Sequence, residues 1–308
     1  MALNYFEMNE NESKILQFLA RKRWYGQAMI TELGREFKKS WNTISTAAKS
    51  LEKKGLIERD NGSLKIVKDN KANYHFKMFI DHLSILSLDE KARNIISDTY
   101  SHAESVANKA GSRLLSLVVF GSTASGEAEK ESDIDLLIIL EGPEKKEELE
   151  KLKGEVISKR HIEFGNINII VMDKKEFEAG YLDADDLIVG ILSNNLIFYD
   201  DGFLWVFMQR ELFMPSRKTI FIRTNQLEKN KEKLLELIKL NDNEKLKEEF
   251  YNYLINEARI ELLRKKTPAI TKKDAISKIA KFNKELYAEI MDIDKGDIKK
   301  KVLDHVSR

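Results

Sequence analysis

The sequence predicts a multidomain α+β protein: a basic module of short helices with a hairpin, a small mixed sheet, and a C-terminal helical bundle. The chain has 308 residues, 42% of them hydrophobic, which is enough for two or three buried cores. Short apolar runs typical of strands cluster at 112–202, whereas helical spacing dominates 203–308. The net charge of +1 is uneven, because residues 1–75 hold 14 basic and 9 acidic side chains and the remainder 38 and 42. We therefore predict domains at 1–75, 112–202 and 203–308, with a connector at 76–111.

The composition excludes several classes of protein. There is no cysteine, which rules out disulfides, thiolate metal sites and a cysteine nucleophile. The N-terminal residues lack a basic segment followed by an apolar one, so no signal peptide is expected. The longest strongly apolar runs, such as 136–140, are far shorter than the about 20 residues of a membrane span. We expect a cytoplasmic protein without a membrane partner.

The first 70 residues have the element order of a winged helix-turn-helix. Asn11 or Ser13 is predicted to cap a first helix. A second helix follows, and Ser40 is predicted to cap a third that ends at Gly55. The turn at 60–62, Asp-Asn-Gly, then joins two short strands. Three short helices followed by a hairpin predict the winged helix.

The third helix of this module carries side chains that suit contact with nucleic acid. Short polar groups and lysines bind base edges and phosphates in a major groove. DNA or RNA is therefore the predicted partner, and a winged helix that contacts protein or dimerises is the alternative. The residues predicted to face outward are Trp41, Asn42, Ser45, Thr46, Lys49 and Lys53.

Two further regions are predicted to be helical. Residues 76–111 contain two amphipathic stretches, the second ending at Gly111. After residue 203, apolar stripes at helical spacing occur at 217–240 and 244–265. A third stripe, capped by Thr271, continues through residue 286. These stripes predict core packing of a bundle.

The strongest chemical signal is a pair of aspartates after a glycine turn. An apolar strand at 114–120 leads into Gly121 and Ser122, and Asp133 and Asp135 begin a second apolar strand. Residues two apart on a strand point to the same face, so the two carboxylates repel unless a divalent cation neutralises them. Mg²⁺, with Mn²⁺ as an alternative, prefers such oxygen ligands and bridges them to phosphates. A glycine turn lets backbone N–H groups approach a phosphate. The pattern predicts nucleotidyl transfer from a nucleoside triphosphate (NTP).

This motif resembles the polymerase beta-like nucleotidyltransferase superfamily, especially its minimal and kanamycin nucleotidyltransferases. The resemblance rests on Gly121-Ser122, a ten-residue gap and Asp133-Ile134-Asp135, and with its supporting elements it extends over 112–200. It implies that Gly121 and Ser122 hold the triphosphate and that Asp133 and Asp135 bind Mg²⁺. It also implies a small mixed sheet with helices on one side.

Two departures from the family pattern bear on turnover. The family usually has a third carboxylate on the strand after Asp-x-Asp, and here the strand phase places Asn168 at that position. An amide cannot take a proton, so Asn168 cannot act as a base. Glu163 is an alternative off the strand phase, and Asp173 is expected in a turn. Ser125 stands where minimal nucleotidyltransferases often have arginine.

Two functions follow from these observations. The first is a Mg²⁺-dependent nucleotidyltransferase that moves NMP from NTP to an unknown acceptor, with a nucleic-acid-binding winged helix. The second is a DNA-binding transcriptional regulator whose degenerate nucleotidyltransferase domain binds nucleotide without turnover. A homodimer is left open alongside a monomer.

Overall fold

The computed structural model describes residues 8–22, 24–126, 133–157, 167–210, 215, 217–265, 267, 269 and 272–307. The chain divides into two compact units, residues 1–179 with 191–212 and residues 180–190 with 213–308. None of the helices in these described ranges is long and apolar enough to cross a membrane.

The first unit begins with three helices and a three-stranded antiparallel sheet of strand order β1-β3-β2. The core of this part is formed by aliphatic side chains that are almost fully buried, among them Ile15, Leu19, Leu33, Ile44 and Leu51. The two-residue strand β1 was not predicted, because two residues are too few to show an alternating pattern. The elements are α1 (Glu10–Lys22), β1 (Ala28–Met29), α2 (Ile30–Phe37), α3 (Trp41–Lys53), β2 (Ile57–Asp60) and β3 (Ser63–Ile66).

The first helix starts earlier than predicted. Asn9 Oδ1 accepts hydrogen bonds from the backbone N–H of Asn11 and of Glu12, both at 3.0 Å. Glu12 Oε2 accepts in return from the backbone N–H of Asn9, at 3.0 Å, which completes a reciprocal cap. The prediction that Asn11 or Ser13 caps α1 was therefore wrong, because this box lies upstream of both.

The other predicted helix and turn signals of this region are confirmed. Ser40 Oγ accepts a hydrogen bond of 3.2 Å from the backbone N–H of Thr43 and so caps α3. Gly55, with φ +68°, follows the end of α3. Asn61 and Gly62, with φ +46° and +82°, form the two-residue turn between β2 and β3, a turn that needs positive φ at both positions.

The rest of this unit is a four-stranded mixed sheet with helices, as predicted. Its strand order is β6-β5-β4-β7, in which β4 is antiparallel to β5 and β7 while β5 and β6 are parallel. One core joins apolar side chains of β4, β5 and β6 to those of α5 and α7. The elements are α4 (Lys71–Leu86), α5 (Glu90–Lys109), β4 (Arg113–Phe120), α6 (Gly121–Ser125), β5 (Ile134–Glu141), α7 (Lys146–Ile157), β6 (Ile167–Asp173), α8 (Lys174–Leu182), α9 (Asp186–Ser193), β7 (Leu196–Asp200) and α10 (Phe203–Met208).

Helix α4 covers the outer edge of the sheet with its side chains. Asp81 Oδ2 accepts a hydrogen bond of 3.0 Å from the backbone N–H of Ile197, and Lys77 Nζ donates to the carbonyl of Asn195 at 3.2 Å. Lys77 and Asp81 also form a 2.7 Å ion pair in which both side chains are buried. Burial raises the pKa of Asp81, and the Lys77 ammonium opposes that shift. Further along the same edge, His82 Nε2 lies 2.7 Å from the carbonyl of Phe198 and the Tyr74 hydroxyl donates to Asp200 at 2.6 Å.

The second unit contains helices packed around an apolar core, as the C-terminal stripes predicted. One detail was wrong: the third predicted helix is two helices, because the Asn283 side chain accepts from the N–H of Leu286 and starts a new helix there. The predicted cap Thr271 lies outside the described residues. The helices are α11 (Arg217–Leu240), α12 (Asn243–Arg264), α13 (Lys272–Phe282), α14 (Lys284–Met291) and α15 (Ile298–Val306).

Candidate functional site

The predicted site residues from the sheet meet at one end of it. Strand β4 ends at this point, and β5 and β6 begin there. Asp135 is the register partner of Phe120 across the antiparallel β4–β5 pair and of Asn168 across the parallel β5–β6 pair. Gly121 follows Phe120 directly. The strand order therefore brings a glycine turn, a carboxylate and an amide together from three separate segments.

Gly121 lies against the carboxylate of Asp135. Its φ of +70° is a conformation that residues with a Cβ rarely adopt. A Cβ at this position would lie 2.1 Å from Asp135 Oδ2 and 3.0 Å from Asp135 Cγ, which are distances of overlap. Glycine is required here for both reasons, and its lack of a side chain lets backbone and carboxylate come close.

Helix α6 is a single turn that starts at the carboxylate. The first N–H groups of a helical turn have no intrahelical acceptor, so they are available to an anion. Ser125 Oγ donates to the Ser122 carbonyl at 3.0 Å, and Gly126, with φ +74°, ends the turn. The turn predicted over 123–130 is thus observed from residue 121 to its end near 126, and residues 127–132 lie outside the described part of the chain.

The two aspartates differ in their surroundings. Asp133 is exposed just before β5, and Asp135 is half-buried as its second residue. Burial raises the pKa of Asp135, the hydrogen bond from Asn168 lowers it in part, and the negative charge of Asp133 raises it again. A cation bound between the carboxylates would reverse both effects that raise the pKa.

Asn168 occupies the position on β6 that faces Asp135. Its Nδ2 donates a 3.0 Å hydrogen bond to Asp135 Oδ1, which agrees with the strand phase deduced from the sequence. Asp173, at the far end of β6, accepts from the backbone N–H of Glu176 at 2.7 Å and so caps α8. The other alternative considered, Glu163, lies outside the described residues.

The donor set suits a hard divalent cation that shares its ligands with a substrate. Carboxylate oxygens are preferred by Mg²⁺, which usually keeps waters and phosphate oxygens in its remaining positions. Within the described ranges, there is no group of three or more His, Cys, Asp or Glu side chains arranged to hold a metal by themselves. Asp133 and Asp135 would therefore hold such an ion together with the phosphates of a nucleotide.

The candidate nucleic-acid surface of α3 is mostly exposed. Trp41 at the start of the helix is 54% exposed, and the side chains of Asn42, Thr46, Lys49 and Lys53 are exposed as well. Ser45 is 4% exposed, so the prediction that it faces outward was wrong. It lies at the flank of the buried stripe, and the width of that stripe depends on neighbouring elements.

Comparison with known proteins agrees with this geometry. The family description "Nucleotidyltransferase domain" matches residues 101–198. A relative from Methanocaldococcus jannaschii, whose name gives protein adenylyltransferase as a provisional assignment, is 31% identical over 120 residues. The match covers 38% of this chain and 79% of the relative.

Two solved structures are more distantly similar. The spectinomycin adenyltransferase AAD(9) from Enterococcus faecialis, solved with ATP and spectinomycin, has a TM-score of 0.40 and 12% identity, covering 70% of this chain and 99% of its own. A nucleotidyltransferase-like protein from Exiguobacterium sibiricum has a TM-score of 0.35 and 10% identity, covering 69% and 74%. Both TM-scores are low, and nothing about this chain is concluded from them. The sequence match to the family and to the archaeal relative shows that the chain belongs to the nucleotidyltransferase family.

Proposed function

We propose that this protein is a Mg²⁺-dependent nucleotidyltransferase that moves NMP from NTP to an acceptor. The observation that carries the proposal is the close approach of Gly121 to Asp135 at the start of a helical turn. This arrangement places phosphate-binding N–H groups beside metal-binding carboxylates. Adenylyl transfer is the favoured form, because the archaeal relative carries that activity in its name.

Each group of the site has a defined task in this proposal. The backbone of Gly121 and the N–H and hydroxyl groups of Ser122 bind the triphosphate. Asp133 and Asp135 orient the phosphates through the cation they share, which supplies charge neutralisation when bound. Asn168 fixes one carboxylate oxygen of Asp135 by hydrogen bonding.

Label transfer tests the enzyme proposal directly. The full chain is incubated with α-labelled ATP or other NTPs, Mg²⁺ and cell extract, beside Asp133→Asn and Asp135→Asn. Transfer is expected with the unchanged chain and a loss of about a hundredfold or more in each variant, since both remove a ligand of the reacting phosphates. Glu141→Gln at the other end of β5 is the matched control and should keep full activity. Transfer no greater than in the two aspartate variants would overturn the proposal.

A regulator that binds nucleotide without turnover is the second candidate. The neutral Asn168 beside Asp135 favours it, because this side chain cannot accept a proton. The same samples separate the two functions when nucleotide binding is measured in parallel. Binding that depends on Mg²⁺, with no label transferred, supports the regulator.

We also propose that residues 1–75 form a winged helix that binds DNA or RNA through α3. The support is the excess of basic residues in this segment and the exposure of Trp41, Lys49 and Lys53. In the same division of the chain, 76–111 is a connector, 112–202 the catalytic domain and 203–308 the helical domain.

Salt-dependent binding to duplex DNA tests the α3 surface. Affinity is expected to fall as salt rises and to drop at least tenfold in Lys49→Glu with Lys53→Glu. The matched control makes the same charge change at the exposed residues Lys239 and Lys265 of the second unit. Unchanged binding in the α3 variant would contradict docking by this helix.

A further inference from the structure

The outer face of α4 is apolar and exposed. Phe79, Leu83 and Leu86 are 58%, 47% and 61% exposed, and their spacing of four and three residues places them on one stripe. His75 and His82 are exposed on the same face. Exposed apolar side chains grouped in this way mark an interaction surface more often than isolated ones do.

The opposite face of α4 fixes this orientation. The side chains of Lys77 and Asp81 are buried and bonded to the backbone of β7. Rotating the helix to bury Phe79 or Leu83 would bring this ion pair into solvent and break both hydrogen bonds. The apolar stripe therefore has to be covered from outside this unit of the chain.

The stripe is complementary to itself in an antiparallel arrangement. A twofold axis between residues 80 and 81 would set Phe79 opposite His82, and His75 opposite Leu86, of the second copy. A face that pairs with its own copy in this way is an isologous interface.

The charges at the two ends of this face select the antiparallel arrangement. The same twofold axis would set Lys71, exposed at the start of α4, opposite Glu90, exposed at the start of α5, in the second copy. A parallel arrangement would instead place each of these charges against its own like charge. We propose that the outer face of α4 is the interface with a second copy of this chain, with the two helices antiparallel.

The mass of the full chain in solution tests the proposal. Sedimentation or light scattering is expected to give a dimer that dissociates on dilution. Phe79→Asp with Leu83→Asp should give a monomer with an unchanged circular dichroism spectrum. Phe221→Asp is the matched control, because Phe221 on α11 is 65% exposed and lies outside the proposed face. A monomer at the highest accessible concentration of the unchanged chain would overturn the proposal.

Charge exchange tests the antiparallel arrangement with variants that disturb folding little. Lys71→Glu and Glu90→Lys are each expected to raise the dimer dissociation constant about tenfold, because each introduces two symmetry-related repulsions. The double variant restores opposite charges at both positions and should return the constant to near its original value. Single variants without effect, or a double variant as weak as the singles, would refute the arrangement. The assay needs no nucleotide, so its outcome is independent of the proposed transferase activity.

Discussion

Replacing Gly121 with alanine tests the proposed site with the smallest change the chain permits. The added Cβ would overlap Asp135 Oδ2 at 2.1 Å. The carboxylate cannot easily turn away, because Asn168 holds its other oxygen at 3.0 Å. The backbone of Gly121 or the side chain of Asp135 must therefore move.

Two costs of different origin are expected. Holding alanine at φ +70° destabilises the fold by about 1–2 kcal/mol. Displacement of Asp135 by about an ångström acts on chemistry, and misplacement of that size lowers turnover about a hundredfold. The loss of activity should thus be much larger than the loss of stability accounts for.

Gly111→Ala separates these two costs. Gly111, between α5 and β4, has φ +66°, and no described atom lies within 4 Å of an added Cβ. Thermal unfolding should show a similar loss of stability in both variants, while label transfer from ATP should fall in Gly121→Ala alone. Activity retained in Gly121→Ala, or lost equally in both, would refute the assignment of Gly121 and Asp135 to one site.

Two further predictions concern charge. Asn168→Asp adds a carboxylate against Asp135, so we expect a lower melting temperature without Mg²⁺ and a larger gain on adding Mg²⁺ than in the unchanged chain; a melting temperature indifferent to Mg²⁺ would contradict the metal site. In the second unit, burial lowers the pKa of His305, but Glu257 and Glu289, at 2.9 and 2.5 Å from its two ring nitrogens, raise it above 6.5 overall. The protonated ring therefore stabilises the fold fully below about pH 6.5, and this contribution is lost as pH rises through the raised pKa. Thermal unfolding across this range should show the loss in the unchanged chain and not in His305→Gln.

The candidate site could be predicted from sequence because its signals are local. Gly121 and the Asp133–Asp135 pair lie at either end of two adjacent apolar strands, and strand alternation alone placed Asn168 next to Asp135. What the sequence could not show is the contact of Gly121 with Asp135, since that distance depends on how the strands pair. The glycine was read as a phosphate turn, and its second role of making room for the carboxylate emerged from the structure.

The incorrect expectations share a physical cause. Asn9 was passed over as a cap because Asn11 and Ser13 are equally good capping residues, and pattern alone does not rank them. The break at Asn283 divides a stripe whose apolar spacing continues through it. Ser45 is small enough to be covered by neighbours that its own helix does not specify. In each case the deciding contact comes from outside the local window.

Helix α4 shows how a segment that looks like a linker contributes to the sheet that carries the site. An edge strand such as β7 leaves N–H and C=O groups unpaired, and these must be covered or solvated. Lys77 and Asp81 bind two of them, although burying an ion pair costs considerable solvation free energy. That cost is offset only while both partners remain, because either charge alone would be buried without compensation. Strand β7 pairs directly with β4, which leads into Gly121, so the N-terminal residues and the proposed catalytic turn are joined through one sheet edge. The basic module and the nucleotide site therefore belong to one compact unit, and a change at either is transmitted through packed backbone.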